Sequence, residues 1–194
     1  MFHGEFVMEK CKDVSRKMEL IDSISKKLEN LRKAEDLIRE EIDLNNELGQ
    51  QVTEWAKEMT KSNEFDKYQR FVDELDKITN LLLSLSGRLA RAQNALQNIE
   101  EGTDPAEKRE LQDKRDRLSD QYDDAKKLKE NIDNRKDAVS KILTEYFNEE
   151  QFADFEHFIK MKSQLIMESR ELDDKIKLGE EQLRCLRENL SMDT

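Results

Sequence analysis

Apolar residues in this chain recur in alternating steps of three and four over most of its length, the signature of one stripe on a long helix. The stripe starts at Val14 and continues through Ile21, Ile24, Leu28, Leu31, Glu35, Ile38, Ile42, Asn45, Gly49, Val52, Ala56 and Met59. Glu35, Asn45 and Gly49 interrupt it. Asn45 has two readings: a buried amide that excludes slipped registers, or a locally loosened, wet seam. Continuing the phase past Met59 would put Asn63, Asp66 and Arg70 in the stripe. A bend or stutter is therefore expected around residues 60–63, with Ser62 or Asn63 capping the next helix.

A second stripe follows in a new register: Tyr68, Phe71, Leu75, Ile78, Leu82, Leu85, Leu89, Ala92, Leu96 and Ile99. Gly102 suits a left-handed position that closes a helix. Asp104 then reads as an N-cap, Pro105 as the first helical residue and Glu107 as the reciprocal capping partner. The third stripe holds Leu111, Arg115, Leu118, Tyr122, Ala125, Lys129, Ile132, Lys136, Val139, Leu143 and Tyr146. Its basic members should weaken pairing or meet acidic neighbours. Asn148 with Gln151 forms a capping box, with Phe147 placed to staple onto Phe152. The last stripe runs from Phe155 and Ile159 through Lys162, Ile166, Ser169, Leu172, Ile176, Gly179, Leu183 and Leu186 to Leu190. These breaks predict an all-α chain, a segmented coiled coil with helices at about 14–61, 63–101, 104–147 and 148–191. Residues 1–13 show no periodicity and are expected to be a flexible tail or a non-native remnant. Residues 14–191 then form a single domain.

Composition sharpens this picture. Charged residues make up 41% of the chain against about 25% in average soluble domains, and proline occurs once. Disorder would also explain so much charge, but disordered chains do not sustain helical spacing. A net charge of −11 argues against a nucleic-acid partner. No apolar run approaches the ~18 residues of a membrane span, and the start lacks the order of a signal peptide. Cys11 and Cys185 stand far apart without CxxC spacing, so free thiols in a reducing cytoplasm are expected.

Chemistry-bearing residues are sparse. Asp154 and His157 lie one turn apart, as in half of a di-iron site, but no second motif accompanies them. Acidic pairs such as Asp123-Asp124 and Asp173-Asp174 lack the glycine and ligand spacing of a calcium loop. There is no glycine-rich phosphate loop. The expectation is a protein without catalysis, metal or cofactor.

Recognition by helix surfaces remains. In the second stripe Leu75, Leu82, Leu89 and Leu96 take a positions, and Ile78, Leu85 and Ala92 take d positions; together they form the expected dimer seam. Leu83, Ser84, Gly87, Ala90 and Arg91 fall outside the seam, where water-facing residues are usual, and form a small-residue track bordered by Leu83. Small side chains allow another helix to approach closely, and Arg88 and Arg91 are placed to meet carboxylates at its edges. The track either receives a partner helix or packs against another helix of the same chain or dimer.

Several stretches resemble one known family. They are EFDKY at 64–68, LDK at 75–77, the run SLSGRLAR at 84–91, DAKKLKENIDNR at 124–135, HFIKMKS at 157–163 and LDDKIKLG at 172–179. The chain resembles the C-terminal domain 2 of the Shroom cytoskeletal proteins over most of residues 18–190. The resemblance implies an elongated antiparallel coiled-coil homodimer that binds the coiled coil of Rho-associated kinase. It further implies kinase recruitment and activation, myosin II contractility and apical constriction of epithelial cells, at cytoplasmic, cytoskeletal and adherens-junction sites. The implied kinase-binding residues are Leu83, Ser84, Ser86, Gly87, Arg88, Ala90 and Arg91, with Lys129, Glu130, Asn131 and Arg135. Asn134 departs from the arginine common in relatives, which lowers the charge of the second patch. Actin binding belongs to other parts of full-length family members. The competing reading is a structural spacer coiled coil with no kinase partner.

Overall fold

The computed structural model describes the backbone of residues 2–193 and the side chains of residues 12–192. The side chains of His3 and Cys11 therefore lie outside the described residues, while Cys185 is a free, exposed thiol. Four helices follow one another: α1 (Phe2–Met59), α2 (Ser62–Gln97), α3 (Pro105–Tyr146) and α4 (Glu149–Asp193). No strand occurs among the described residues. The backbone is helical from Phe2, so the stretch expected to be an irregular tail joins α1. Once a helix is nucleated, each further residue costs little, and an apolar stripe is not needed to extend it.

The three breaks are built differently. At the first, the Thr60 backbone N–H and hydroxyl both reach the Ala56 carbonyl, at 3.1 Å and 2.6 Å. Lys61 is extended, with ψ 156, and its carbonyl accepts from the N–H groups of Glu64 and Phe65. Neither Ser62 nor Asn63 is the cap: Lys61 holds that position without a side-chain bond. The hydroxyl in this turn is spent closing the outgoing helix instead. At the second break α2 stops at Gln97, about four residues early. The Asn98 amide donates to Asn94 Oδ1 at 2.9 Å, and asparagine is a weak helix former that favours such local bonds. Gly102, at φ 103, supplies the left-handed step inside the loop rather than at the helix end. Asp104 then accepts from the Ala106 N–H at 3.0 Å, with Pro105 opening α3. The third break holds a reciprocal capping box. Gln151 N–H donates to Asn148 Oδ1 at 2.8 Å, and Asn148 N–H to Gln151 Oε1 at 3.1 Å.

Residues 42–167 form one compact unit. In it α2 and α3 run antiparallel, as two cross-links show. The Tyr146 hydroxyl donates to Glu64 Oε1 at 3.1 Å, and Arg135 pairs with Glu74. The end of α1 joins α2 through a Thr53–Tyr68 hydroxyl contact of 2.9 Å. The start of α4 joins α2 through Lys162 and Asp76 at 3.6 Å. All four helices share one buried cluster that includes Val52, Tyr68, Phe71, Leu75, Leu143 and Phe155. Tyr68 stands at its centre, 6.1 Å from both the Phe65 and Phe155 rings. Phe147 meets Trp55 edge-on at 6.2 Å, and Phe152 lies 5.9 Å from Phe155. Aromatic pairs in such offset and edge arrangements add about 0.5–1.5 kcal/mol each beyond burial.

The interruptions in the first stripe have a structural cause. Asn45 is buried and its amide donates to the Phe158 carbonyl at 3.2 Å. One turn on, a Cβ at Gly49 would lie 2.3 Å from Phe158 Cε1. Only glycine leaves room for that ring. The seam is thus keyed at Asn45 rather than loosened there.

The other compact unit joins the first 41 residues with those from Glu168 on. Here α1 and α4 are linked by Arg32 and Glu180 at 2.9 Å. Leu28, 3% exposed, seats against Gly179, where a Cβ would meet its Cδ2 at 2.8 Å. The remaining stripe residues of this unit, such as Ile21, Ile24, Leu31, Leu172, Ile176 and Leu183, are only half-buried.

Two predictions follow from this packing. Gly49→Ala should lower stability by about 1–3 kcal/mol through overpacking. Gly87→Ala should raise it by about 1 kcal/mol, because helix propensity improves and its nearest neighbour, Arg91 Nη1, is 3.8 Å away. Chemical denaturation of both variants checks the opposite signs. Burial pushes the Tyr68 hydroxyl up to about 12, partly offset by its bond to Thr53. Its folded value thus lies above the unfolded one, so its contribution is complete below about pH 10 and lost as pH rises through about 12. Denaturation midpoints should fall over that window, less so in Tyr68→Phe. Phenolate absorbance should show one tyrosine ionising near the top of it.

Candidate functional site

The apolar run in the middle of α2 divides into two faces. Leu85 and Ala92 are buried, Leu82 and Leu89 are half-buried, and all four pack in the cluster of their own chain. Leu75 and Ile78 are buried further back along α2, and Leu96 is half-buried near its end. The positions assigned to a dimer seam are therefore substantially covered by α3. That follows from α2 and α3 being joined by a short loop: the nearest apolar stripe available to α2 is its own chain's Leu118, Ala125 and Ile132.

The other face is open. Ser86, Arg88, Ala90 and Arg91 are exposed, and Leu83, Ser84 and Gly87 are half-buried. Leu81, 45% exposed, extends this surface by a turn. A Cβ built at Gly87 meets only the guanidinium of Arg91, on the next turn of the same helix. Gly87 is therefore not a place where another helix of this chain approaches. Neither Arg88 nor Arg91 makes an ion pair or hydrogen bond among the described residues. In an acidic chain, two arginines without carboxylate partners beside a glycine form an outward-facing cationic edge.

The second group of residues lies on α3. Ile132 is buried and anchors this segment to the core, leaving Glu130 and Asn131 exposed. Lys129 is half-buried, its stem in the seam and its ammonium 2.6 Å from Asp133 Oδ1. This is the usual solution for a lysine in a seam position: the methylenes are covered and the charge reaches water. Arg135 is exposed but engaged, its guanidinium paired with Glu74. The two groups thus sit on one antiparallel helix pair. Arg135 is level with Glu74, ten residues or about 15 Å along α2 from Ser84, and Lys129 is closer to it. Sequence reading did not foresee Glu74, because an i to i+4 spacing from Arg70 suggests a local pair instead.

The remaining chemical candidates stay apart. His157 is exposed on α4 and Asp154 is half-buried. No group of three or more histidine, cysteine or acidic side chains placed to hold a metal occurs among the described residues. Among them, too, no helix is long and apolar enough to cross a membrane. What the surface offers is contact, through an apolar strip flanked by arginines.

Comparison with known proteins identifies that surface's family. Residues 7–190 match the Apx/Shroom domain ASD2. The chain is 56% identical over 178 residues to Protein Shroom2 of Xenopus tropicalis, covering 92% of this chain and 10% of the relative. It is 51% identical over 178 residues to human Protein Shroom3, covering 92% of this chain and 9% of that protein. Human Protein Shroom4 is 51% identical over 175 residues, covering 90% and 12% respectively. The chain spans about a tenth of the length of these curated relatives, and its run at 84–91 lies within the matched domain. On this evidence the chain belongs to the Shroom family, through its Apx/Shroom domain ASD2.

Proposed function

We propose that this chain is a helical docking module that binds the coiled-coil region of Rho-associated kinase. On this reading it localises and activates the kinase, promoting myosin II contractility and apical constriction from cytoskeletal sites at epithelial adherens junctions. The single observation that carries the proposal is the open face at residues 81–91. The choice of partner is the one the sequence resemblance implies, and that face has properties that suit a helix-in-groove contact. It is apolar at Leu81 and Leu83, shallow at Ser84 and Gly87, and edged by Arg88 and Arg91.

The domain, spanning residues 14–191, is proposed to act as an antiparallel homodimer. Support comes from the part-exposed Leu82, Leu89 and Leu96 and from the half-buried stripes of the unit around Leu28 and Gly179. A two-helix pair leaves much of its seam in water, and a second copy would cover it. The module acts by binding, not by catalysis, and carries no cofactor. A spacer coiled coil would explain the seams, but it gives no role to two arginines beside an uncovered glycine.

Arg88→Glu with Arg91→Glu should weaken binding to the isolated kinase coiled coil at least about 100-fold, because reversal places like charge where complementarity was. Leu83→Glu should do the same. Circular dichroism and scattering mass should stay at wild-type values in both. Calorimetric titration reads the outcome, and wild-type affinity in these variants would make the face a bystander. Leu82→Asp with Leu89→Asp should instead disrupt folding or association, visible as lost helicity or altered mass.

A further inference from the structure

A groove of about 480 Å³ lies between α2 and α3, lined by Lys67, Arg70, Glu74, Arg135, Ala138 and Val139. Its charge is opposite in sign to that of the whole chain: three cations surround one carboxylate, where the net charge is −11. The carboxylate is already allotted. Glu74 lies four residues after Arg70, a spacing that favours a pair along the helix, yet it reaches across the interface to Arg135. Lys67 and Arg70 are exposed and make no ion pair among the described residues. Val139, 2% exposed, and Ala138 line the groove between the charges.

We infer that this groove is an acceptor site for a carboxylate side chain on a partner helix, with Lys67 and Arg70 as its contacts and Glu74 as the resident competitor for Arg135. This rests on the kinase reading above, and on the resemblance that implies Lys129, Glu130, Asn131 and Arg135 as kinase contacts. Guanidinium groups bind carboxylates through paired N–H donors, and Glu74 demonstrates that Arg135 takes such a ligand here. An incoming glutamate would place its charge among Lys67, Arg70 and Arg135 and its methylenes on Ala138 and Val139. A nucleic-acid phosphate is the less suited occupant, since a chain of net charge −11 repels a polyanion. In the free protein Glu74 neutralises Arg135, so a partner must either displace it or use the two cations it leaves free. Glu74 therefore sets how strongly the site discriminates between partners.

The test uses the full chain and two probes: the Rho-associated kinase coiled coil and a synthetic glutamate-rich helical peptide. Lys67→Ala with Arg70→Ala should weaken binding of the kinase segment about tenfold and reduce its salt dependence, with helicity unchanged. Glu74→Gln should tighten it about threefold, the scale of an exposed ion pair. In NMR titrations the peptide should shift the Lys67, Arg70 and Arg135 side-chain signals, and the double variant should lose the effect. If the double variant binds the kinase segment like wild type, the groove is not part of that interface and the inference falls, while the kinase reading stands. If wild type binds the peptide at the groove but not the kinase segment, the acceptor site stands and the kinase reading falls. If neither probe perturbs the three side chains, the inference is overturned outright. Shifts produced equally by inorganic phosphate would overturn the preference for a carboxylate.

Discussion

The seating of Phe158 over Gly49, with Asn45 donating to the Phe158 carbonyl, is the constraint on which the arrangement of residues 42–167 depends. Apolar stripes alone tolerate sliding: a helix displaced by one heptad still presents leucines and isoleucines. A displaced Asn45 would leave a buried amide without a partner, which costs about 1–3 kcal/mol. The same slip would bring a Cβ against the ring in place of Gly49. Two local requirements, one polar and one steric, thus select a single register for α1 on α4. Because α2 and α3 hang between them on turns of a few residues, that register also fixes which turns of α2 meet Tyr68's neighbours.

From that register the division of labour along α2 follows. Near the turn, α2 is surrounded: Tyr68, Phe71, Leu75 and Ile78 are buried, and Thr79 is buried with its hydroxyl returned to the Leu75 carbonyl at 2.8 Å. Further along, only Leu85 and Ala92 remain fully covered, and the other side of the helix carries Leu81, Gly87, Arg88 and Arg91 to the surface. The transition from a four-helix environment to a mainly two-helix one is what uncovers an apolar, small-residue face. Such a face leaves apolar surface in water, which is unfavourable. Burial at one end of α2 and exposure at the other are consequences of the same packing.

Much of this was legible in the sequence because helical seams are one-dimensional. The residues spaced three and four apart, from Leu28 to Ala56 and from Tyr68 to Ala92, are the ones that became buried or half-buried. The Asp104-Pro105 start and the Asn148–Gln151 box were readable because capping is local chemistry with fixed spacing. The first break differs from its expected cap because Thr60 closes α1 with its own hydroxyl, an option as local as capping but invisible to the stripe. The period overshoots the end of α2 because Ile99 keeps it after Asn98 has already left the helix. Partner choice among helices was not legible at all. Period says which face is buried, never against what, so Leu82 and Leu89 read equally well as contacts to a second copy or to Leu118 and Ala125 of the same chain.

The charged positions inside the seams show how far the bland reading of a surface can be taken. Arg115 pairs with Asp116 and Lys129 with Asp133, each on its own helix. Lys162 reaches Asp76 and stands 5.6 Å over the Phe158 ring. Each of these cations is accounted for by a neighbour, as expected in a chain with an excess of carboxylates. Lys136 of the third stripe makes no ion pair among the described residues, and the same holds of many exposed cations, Lys57, Lys77 and Arg170 among them. Lys67 and Arg70 lie toward one end of α2 and Arg88 and Arg91 toward the other, with Lys77 unpaired among the described residues between them. Exposed lysines and arginines stay solvated at many positions of this chain, so what sets these four apart is their place, Lys67 and Arg70 beside the α2–α3 groove and Arg88 and Arg91 beside Gly87. Such places suit charge-assisted hydrogen bonds to carboxylates.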